Sequence, residues 1–365
     1  MSNIKLGSDK FTFDDLENKY RNFIAPGFKL FINNRDAVRE GMAITQVQVE
    51  TTTSPASDTV SFVVANAYNP VSRDFEWLDL LVPGKPLEVH IGYTDRLEPL
   101  FFGYVTAVRI DFSSGEAPTI SVTGMDLSFK MMRGIEATTW ANKKITDVAK
   151  EIGQTHGATS FVIDPTASPV PSLPKKPEND YQFLLALAKG LNYEFFVVGK
   201  TMYFRKKNQQ KTPLMTMAWG KHLTRVHIDL NVADQVTGVN VRGWDPKTQK
   251  VIEGSSSSVN KIGAGSRTGA DLLKTMGSFD QTLYLNVADK QEAQQKAEAV
   301  MNERAMNLLT GDAECIGLPE IRAGRYVRLE GLGKQLNQVY YVQSASHSVD
   351  GSGYRTRFSI QGNVV

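Results

Sequence analysis

Alternating apolar and polar residues dominate the chain from residue 28 to residue 129. This two-residue period predicts strands, because successive side chains of a strand point to opposite faces. The predicted strands are FKLFINN, ITQVQVETTT, DTVSFVVANAY, PLEVHIGYTD, EPLFFGYVTAVRID and APTISVTGMDLSF. The intervening VSRDFEWLDLLVPG predicts a helical turn stopped by Pro83 and Gly84. We expect a small antiparallel barrel at residues 23–133, preceded by a polar N-terminal arm at residues 1–22.

Residues 134–222 predict a compact α+β module with two helices. The first has an apolar face with i, i+3, i+4, i+7 spacing and a stop at Gly153, and its face consists of Ile145, Val148, Ala149 and Ile152. A proline-rich connector, DPTASPVPSLPKKP, precedes the second helix. In that helix Asn179 with Gln182 resembles a capping box, and Gly190 is the expected end. A hairpin, YEFFVVGKTMYFRKK, then turns at Gly199 and Lys200.

Residues 223–365 return to strand patterns and predict a second barrel. Two elements interrupt it: a flexible Ser/Gly-rich loop at 254–270 and a long helix at 290–309, with Asp289 and Glu292 as its capping box. Small residues on the helix would let another backbone approach closely, which makes this face a candidate interface with another barrel or subunit. The candidate residues are Ala293, Ala297, Met301 and Ala305. A helix packed within its own domain is the alternative.

The last strands repeat the order of strands in the first barrel. AGRYVRLEGL, NQVYYVQSASHSVD and GYRTRFSIQGNVV follow one another as PGKPLEVHIG, EPLFFGYVTAVRID and APTISVTGMD do. Gly84 and Gly324 are 240 residues apart, Tyr104 and Tyr341 are 237 apart, and Gly124 and Gly362 are 238 apart. This nearly constant offset predicts that one barrel is used twice. The predicted fold is therefore mainly β, with two barrels flanking the α+β module.

Composition and motifs argue against several function classes. The formal charge of +2 is too balanced for a protein that neutralises many phosphates, and the basic run at 205–211 fits a charged hairpin edge better than a nucleic-acid site. The chain shows neither a signal peptide nor an apolar run of membrane-spanning length. We predict no cofactor, no metal site and no catalytic residue. Among 39 acids, however, a hydrolytic carboxylate pair remains an alternative.

Taken in order, these segments resemble the phage late control D family, the baseplate hub proteins of contractile tails, and the N-terminal part of VgrG spike proteins. The resemblance covers about residues 25–365. Its most specific part is the second helix of the middle module with the strand that follows. The matching residues there are Asn179, Asp180, Phe183, Leu184, Leu187, Gly190 and Tyr193. One departure is that two residues rather than one separate Gly190 from Tyr193.

The resemblance implies a non-enzymatic hub whose fold is that of two tail-tube barrels in one chain. Three chains would form a ring of six barrels that joins the sixfold tail tube to a threefold spike. The implied partners are the other two copies, a separate trimeric spike protein, the tube or its initiator, other baseplate proteins and the tape measure protein. The protein would be made in the bacterial cytoplasm and assembled into a phage tail or an injection particle. Alternatives are a tail-tip hub of a non-contractile phage and a cell-wall hydrolase.

Overall fold

The computed structural model describes residues 4–7, 9–166, 169–207, 211–246 and 248–365. Residues 208–210 of the predicted basic run lie outside the described residues, as do residues 167–168 of the proline-rich connector and residues 1–3 and 8 of the predicted arm.

The first part of the chain forms the predicted strands. Its elements are α1 (Phe13–Lys19), a 3₁₀ turn (Arg21–Phe23), β1 (Pro26–Ile32), β2 (Arg35–Asp36), β3 (Ile44–Thr52), β4 (Thr59–Val64), β5 (Tyr68–Asn69), β6 (Asp74–Phe75), β7 (Pro86–Tyr93), β8 (Arg96–Asp111), β9 (Thr119–Asp126) and α2 (Ser128–Met131). The predicted helical turn is present, because the Leu81 amide donates to the Trp77 carbonyl at 3.1 Å.

The middle segment contains both predicted helices and the predicted hairpin. Its elements are β10 (Glu136–Lys143), α3 (Ile145–Thr155), β11 (Ser160–Ile163), β12 (Val170–Glu178), α4 (Asp180–Gly190), β13 (Tyr193–Val198) and β14 (Thr201–Lys206). Two details differ from the prediction. Helix α3 continues past Gly153, and part of the proline-rich connector is strand β12, which pairs with β10. Prolines fit there because a two-stranded ribbon leaves one edge of each strand without ladder bonds.

The closing segment returns to strands. Its elements are β15 (Pro213–Ala218), β16 (Leu223–Leu230), β17 (Gly238–Asp245), β18 (Lys250–Ser256), α5 (Gly269–Lys274), β19 (Asp280–Tyr284), α6 (Lys290–Ala305), β20 (Leu309–Ile316), β21 (Tyr326–Glu330), β22 (Gln338–Asp350) and β23 (Gly353–Gly362). Helix α6 is shorter than predicted, since it ends at Ala305 rather than at residue 309.

One sheet runs through both β-rich regions in the order β16-β20-β23-β22-β3-β4-β9-β8-β7-β1-β2, with β21 and β15 branching from β22. Its strands pair antiparallel, apart from the parallel pair β15 and β21. Buried side chains of both regions, such as Phe62 and Phe358, belong to one continuous core. The fold is thus mainly β, as predicted. The predicted domain boundaries remain a prediction, and β15, assigned to the middle module by the boundary at residue 222, pairs with the second β-rich region.

The strand pairings of the two β-rich regions are equivalent. The first has the ladder order β3-β4-β9-β8-β7, and the second has β16-β20-β23-β22-β21. The glycine that precedes β7 in the first ladder has the same geometry as the glycine that precedes β21 in the second. Gly84 has φ +91° and its amide donates to the Val105 carbonyl at 2.7 Å, while Gly324 has φ +83° and donates to Val342 at 2.9 Å. Only glycine adopts this left-handed backbone without strain. The first predicted anchor therefore marks the same position in both ladders.

Two bulges extend the match. Beside β9 the register of β8 shifts between Val105 and Ala107, and beside β23 that of β22 shifts between Val342 and Ser344. Strands β3 and β16 both bulge at a threonine, Thr45 or Thr224, whose hydroxyl donates to a carbonyl of the next strand. The ladders also correct one anchor. Gly124 lies opposite Val105, and the residue opposite Val342 is Ile360 rather than Gly362.

Residues 231–308 form an insertion between β16 and β20. Strands β18, β17 and β19 form a small sheet, and α6 packs against β17 and β18. The predicted flexible loop at 254–270 is packed in the structure. Its residue Arg267 exchanges two backbone hydrogen bonds with Val365, and the Ile262 amide donates to the side chain of Asn363 at 2.9 Å. The glycines of this loop allow close approach, since a Cβ on Gly265 would lie 2.7 Å from the Val365 nitrogen.

The predicted N-terminal arm is also packed. Helix α1 begins at a capping box of Thr12 and Asp15, and its Leu16 side chain is fully buried. Tyr20, also fully buried, donates its hydroxyl to Glu320 at 2.6 Å. Leu16 and Tyr20 of the arm are therefore part of the core that the two β-rich regions share.

Candidate functional site

The predicted interface residues of α6 lie inside the chain. Ala293 and Ala297 are fully buried, and Met301 and Ala305 are each 2% exposed. The first three pack with Val239 and Val241 of β17. The small side chains allow the backbone of α6 to approach β18, where a Cβ on Gly254 would lie 2.3 Å from the Gln294 nitrogen. These residues hold the insertion together, and this face is not open to another subunit.

A second face of α6 contacts the middle module of the same chain. Lys189 of α4 forms an ion pair with Glu303 at 3.1 Å, with both side chains largely exposed. An exposed pair of this kind contributes little stability, but it shows that the insertion lies beside the middle module.

The polar motif residues organise the start of α4. The Asn179 side chain accepts a hydrogen bond from the Gln182 amide at 2.8 Å, which confirms it as the N-cap. Asp180 forms a hydrogen bond with His156, at 2.8 Å, and an ion pair with Lys175. These hydrogen bonds outweigh burial and lower the pKa of Asp180. The two residues therefore tie α4 to α3 and β12.

The apolar motif residues form the core of the middle module. Phe183 stacks on Trp140 with ring centroids 5.5 Å apart, and Leu184 is fully buried. Tyr193 begins β13 and is 5% exposed, whereas Leu187 is partly buried. Gly190 is the last residue of α4, but the left-handed residue after the helix is Asn192, with φ 57°. The surroundings of all seven motif residues thus indicate structural roles in the middle module.

A buried polar cluster lies where the middle module meets both β-rich regions. The guanidinium of Arg322 lies 3.4 Å from the Asp58 carboxylate and also donates to the Leu100 carbonyl. Asp126 accepts from the Asp58 amide at 3.1 Å and from the Ser128 amide at 2.8 Å. Burial raises the pKa of both carboxyls, that of Asp126 to about 6, and the Asp126 charge adds to the shift of Asp58.

Asp58 and Asp126 of this cluster form the carboxylate pair that best resembles the pair required by the hydrolase alternative. Asp58 and Asp126 are only 5% and 3% exposed, and their oxygens accept from backbone and serine donors. Tyr181 of α4 closes the same region by donating to the Ala56 carbonyl at 3.1 Å. An enclosed pair with these partners is suited to holding three parts of the chain together rather than to attacking a glycan.

A second polar cluster joins the hairpin of the middle module to β22. Glu194 pairs with Arg205 at 2.6 Å and accepts from the Tyr341 hydroxyl at 2.6 Å. Arg205 also donates to the Gly324 carbonyl at 2.9 Å. Arg205, expected to be exposed on the hairpin edge, is therefore an internal contact between the middle module and the second β-rich region.

Strands β8 and β16 each have an edge that pairs with no strand in the described part of the chain. On the edge of β8 away from β9, β7 pairs only as far as Tyr104, and no strand pairs with the residues that follow. Strand β16 pairs with β20 on one side and with no strand on the other. Both edges carry exposed apolar side chains, with Ile110 37%, Phe112 67% and Leu230 54% exposed. Sequence analysis missed these edges, although the alternation of apolar and charged residues in both strands is a signal.

Other chemistry has little support among the described residues. They contain no group of three or more His, Cys, Asp or Glu side chains placed to hold a metal ion, and no helix long and apolar enough to cross a membrane. A groove of about 630 Å³ lies on the insertion, between Trp244 and Tyr284. Its acid, Glu253, pairs with Arg242 at 2.9 Å.

A family model described as the Alg8 N-terminal domain matches residues 28–351, which is most of the chain. The chain belongs to this family. Among curated proteins, none matches the sequence.

Two solved structures with the same fold as this member of the Alg8 N-terminal domain family are tail proteins. The 43 kDa tail protein of prophage MuSo2 from Shewanella oneidensis is 13% identical, with a TM-score of 0.72 and coverage of 92% of this chain and 98% of that one. A tail protein from Neisseria meningitidis MC58 is 12% identical, with a TM-score of 0.67 and coverage of 92% and 96%.

The E. coli c3393 protein, a component of the type VI secretion system, is 11% identical, with a TM-score of 0.53 and coverage of 92% and 76%. It is described as structurally similar to the T4 bacteriophage tail proteins gp27 and gp5. These likenesses confirm the predicted resemblance to phage tail and baseplate proteins at the level of the fold.

Proposed function

We propose that this protein is the structural hub of the baseplate of a contractile phage tail or injection system. The observation that carries the proposal is the equivalence of the ladders β3-β4-β9-β8-β7 and β16-β20-β23-β22-β21 within one chain. A chain with two equivalent units contributes two positions to a ring, so three copies would form six positions around a channel.

The proposed partners follow from that arrangement. One face of the ring would receive the sixfold tail tube or its initiator, and the other would hold a separate trimeric spike protein. Other baseplate proteins and the tape measure protein would contact the ring from outside and from the channel. The role is non-enzymatic, which agrees with the structural surroundings of the motif residues and of the buried acidic pair.

The fold supports the same role. It is shared with phage tail proteins and with a component of a type VI secretion system, over more than nine tenths of this chain. The division of the chain into two tube-like units and a middle module is part of the proposal.

The mass of the purified full-length protein, measured by light scattering alone and after mixing with the spike protein of the same particle, tests the proposal. We expect a mass of three chains, and projection images that show a ring of six lobes around a channel. A protein that stays monomeric with the spike and shows no ring would overturn the hub function. Activity on peptidoglycan that is lost when one acidic residue is replaced would favour the hydrolase.

A further inference from the structure

Strand pairing joins the two units within the chain, and we call this pairing the internal joint. Strand β22 of the second unit pairs antiparallel with β3 of the first, beyond the point where β22 leaves β21. The register sets Ala345 opposite Thr51, Ser346 opposite Glu50, His347 opposite Val49 and Ser348 opposite Gln48. Ala345, His347, Thr51 and Val49 of this joint are buried.

Each strand of this joint has an equivalent that is open. Strand β8 corresponds to β22, because the bulges after Val105 and Val342 coincide. Counting from Ala107, which corresponds to Ser344, places Arg109 at the position of Ser346. Strand β16 corresponds to β3 through the bulges at Thr224 and Thr45, which places Asp229 at the position of Glu50.

We propose that the open edge of β8 in one copy pairs antiparallel with the open edge of β16 in the next copy, in the register of the internal joint. This proposal rests on the proposed function and names its intersubunit contact. The predicted opposite pairs are Val108 with Leu230, Arg109 with Asp229, Ile110 with Ile228, Asp111 with His227, and Phe112 with Val226. They follow from the pairings of the internal joint and of the two ladders.

The register sets each acidic side chain opposite a basic one. In the single chain Arg109 pairs with Asp111 along its own strand at 3.1 Å, and His227 pairs with Asp229 at 3.1 Å. In the joint these four groups would form two pairs across the strands instead, Arg109 with Asp229 and Asp111 with His227. Opposite charges that face each other across strands are stabilising, whereas a shift by one residue would disrupt both pairs.

The other face of the same register is apolar. Val108, Ile110 and Phe112 would lie against Leu230, Ile228 and Val226. In the internal joint the equivalent positions are occupied by Ala345, His347 and Val349, which are all buried. Three of the six apolar side chains are more than a third exposed in the single chain, so pairing would remove apolar surface from water.

The geometry also fixes the type of assembly. The two open edges differ, so the contact is head to tail and must close into a ring or continue as a filament. Because the contact between copies would repeat the joint within each copy, successive units would be related by similar rotations. Closing the ring would leave neither the β8 edge nor the β16 edge open for unwanted aggregation.

Charge reversal tests the register. Arg109→Asp and Asp229→Arg should each weaken self-association of the full-length protein by about tenfold, because like charges then face each other. The double variant with both changes should regain the original mass at the same concentration. Arg35→Asp, a charge reversal on β2 that breaks an ion pair between Arg35 and Glu40, is the matched control and should leave the mass unchanged.

Engineered cysteines test the same register covalently. Ile110→Cys with Ile228→Cys should form disulfides between copies under mild oxidation, because opposite residues lie within about 5.5 Å. Ile110→Cys with Val226→Cys places the second cysteine two residues away and should form few. The native Cys315 is buried and should not compete.

The outcomes separate the joint from the hub function. Rescue by the double reversal, together with disulfides in the matched pair only, would support the joint. A trimeric ring whose mass is unaffected by either reversal, and which forms no matched disulfide, would overturn the joint while the hub function stands. A protein that stays monomeric with its spike would overturn the hub function and the joint together.

Discussion

Replacing Arg322 by Met tests whether the buried cluster holds the three parts of the chain together. The guanidinium faces Asp58 and donates to the Leu100 carbonyl, and the Arg322 side chain is only 8% exposed. Methionine is similar in length but carries no charge. The change therefore leaves the carboxyls of Asp58 and Asp126 together in an enclosed site without a cation.

The free energy needed to protonate a buried carboxyl sets the upper limit of the destabilisation by Arg322→Met. At pH 7 the folded variant must bury a carboxylate or keep it protonated. Keeping a carboxyl of ordinary pKa neutral at pH 7 costs about 4 kcal/mol, or about three pKa units at about 1.4 kcal/mol each. Burial already raises the pKa of both carboxyls, so part of this cost is present before the substitution. We expect Arg322→Met to lower the free energy of unfolding by about 2 to 4 kcal/mol.

The effect should depend on pH in a defined direction. A carboxyl with a raised pKa in the folded state binds more protons there than in the unfolded chain, so stability falls as the pH rises. Loss of the Arg322 charge raises the pKa of Asp58 further, since that charge lowers it in the intact cluster. The destabilisation by Arg322→Met should therefore be smaller at pH 5 than at pH 7.

Urea denaturation at both pH values, followed by circular dichroism, measures these effects. Adding Asp58→Asn to Arg322→Met removes one of the stranded charges and should recover part of the loss at pH 7. Arg328→Met is the surface control. It breaks a pair with Glu330 in which both side chains are more than a third exposed, and it should cost less than about 1 kcal/mol. A loss below about 1 kcal/mol for Arg322→Met, or a double variant no more stable than the single one, would refute the reasoning.

Three further predictions concern other buried positions. Burial lowers the pKa of His347 to about 3, so stability is lost as the pH falls below about 6.5. Between pH 6.5 and pH 5, the free energy of unfolding of His347→Gln, measured in urea titrations, should therefore fall by about 2 kcal/mol less than that of the unsubstituted protein. Equal decreases would contradict this. Gly254→Ala should lower the free energy of unfolding by about 1 to 3 kcal/mol, because its Cβ meets the backbone of α6, whereas Gly351→Ala, which has open space, should change it little; equal effects in thermal unfolding would contradict the packing. Finally, Cys315 is buried and burial raises the pKa of its thiol, so a thiol reagent should label it only in denaturant; rapid labelling of the folded protein would show that the core opens.

Most of the strands could be predicted because their pattern is local. The alternation in residues 44–52 or 119–126 depends only on which face of a strand is buried. The equivalence of the two β-rich regions was also visible, since Gly84 and Gly324 are required by the same left-handed turn. The third anchor was wrong by two residues because Gly124 and Gly362 both lie in strands, where no backbone requirement fixes their position.

The contacts that determine which surfaces are buried and which remain open could not be predicted from local sequence patterns. The small residues of α6 indicated close approach of a backbone, but the approaching backbone is β18 at Gly254, far along the same chain. The Ser/Gly-rich loop gave no sign that it would pack on Val364 and Val365. The open edges of β8 and β16 are defined by which strands pair, and pairing partners depend on long-range contacts.

The insertion at residues 231–308 lies in only one of the two equivalent ladders of this chain. The connection between β16 and β20 carries a complete small module, whereas the equivalent connection between β3 and β4 has only the six residues 53–58. A ring of identical single-unit subunits could not differ at alternate positions, because a mutation in its gene changes every position. In a fused pair, either half can be lengthened alone. Each half can therefore evolve a different outer surface while the shared sheet geometry stays the same.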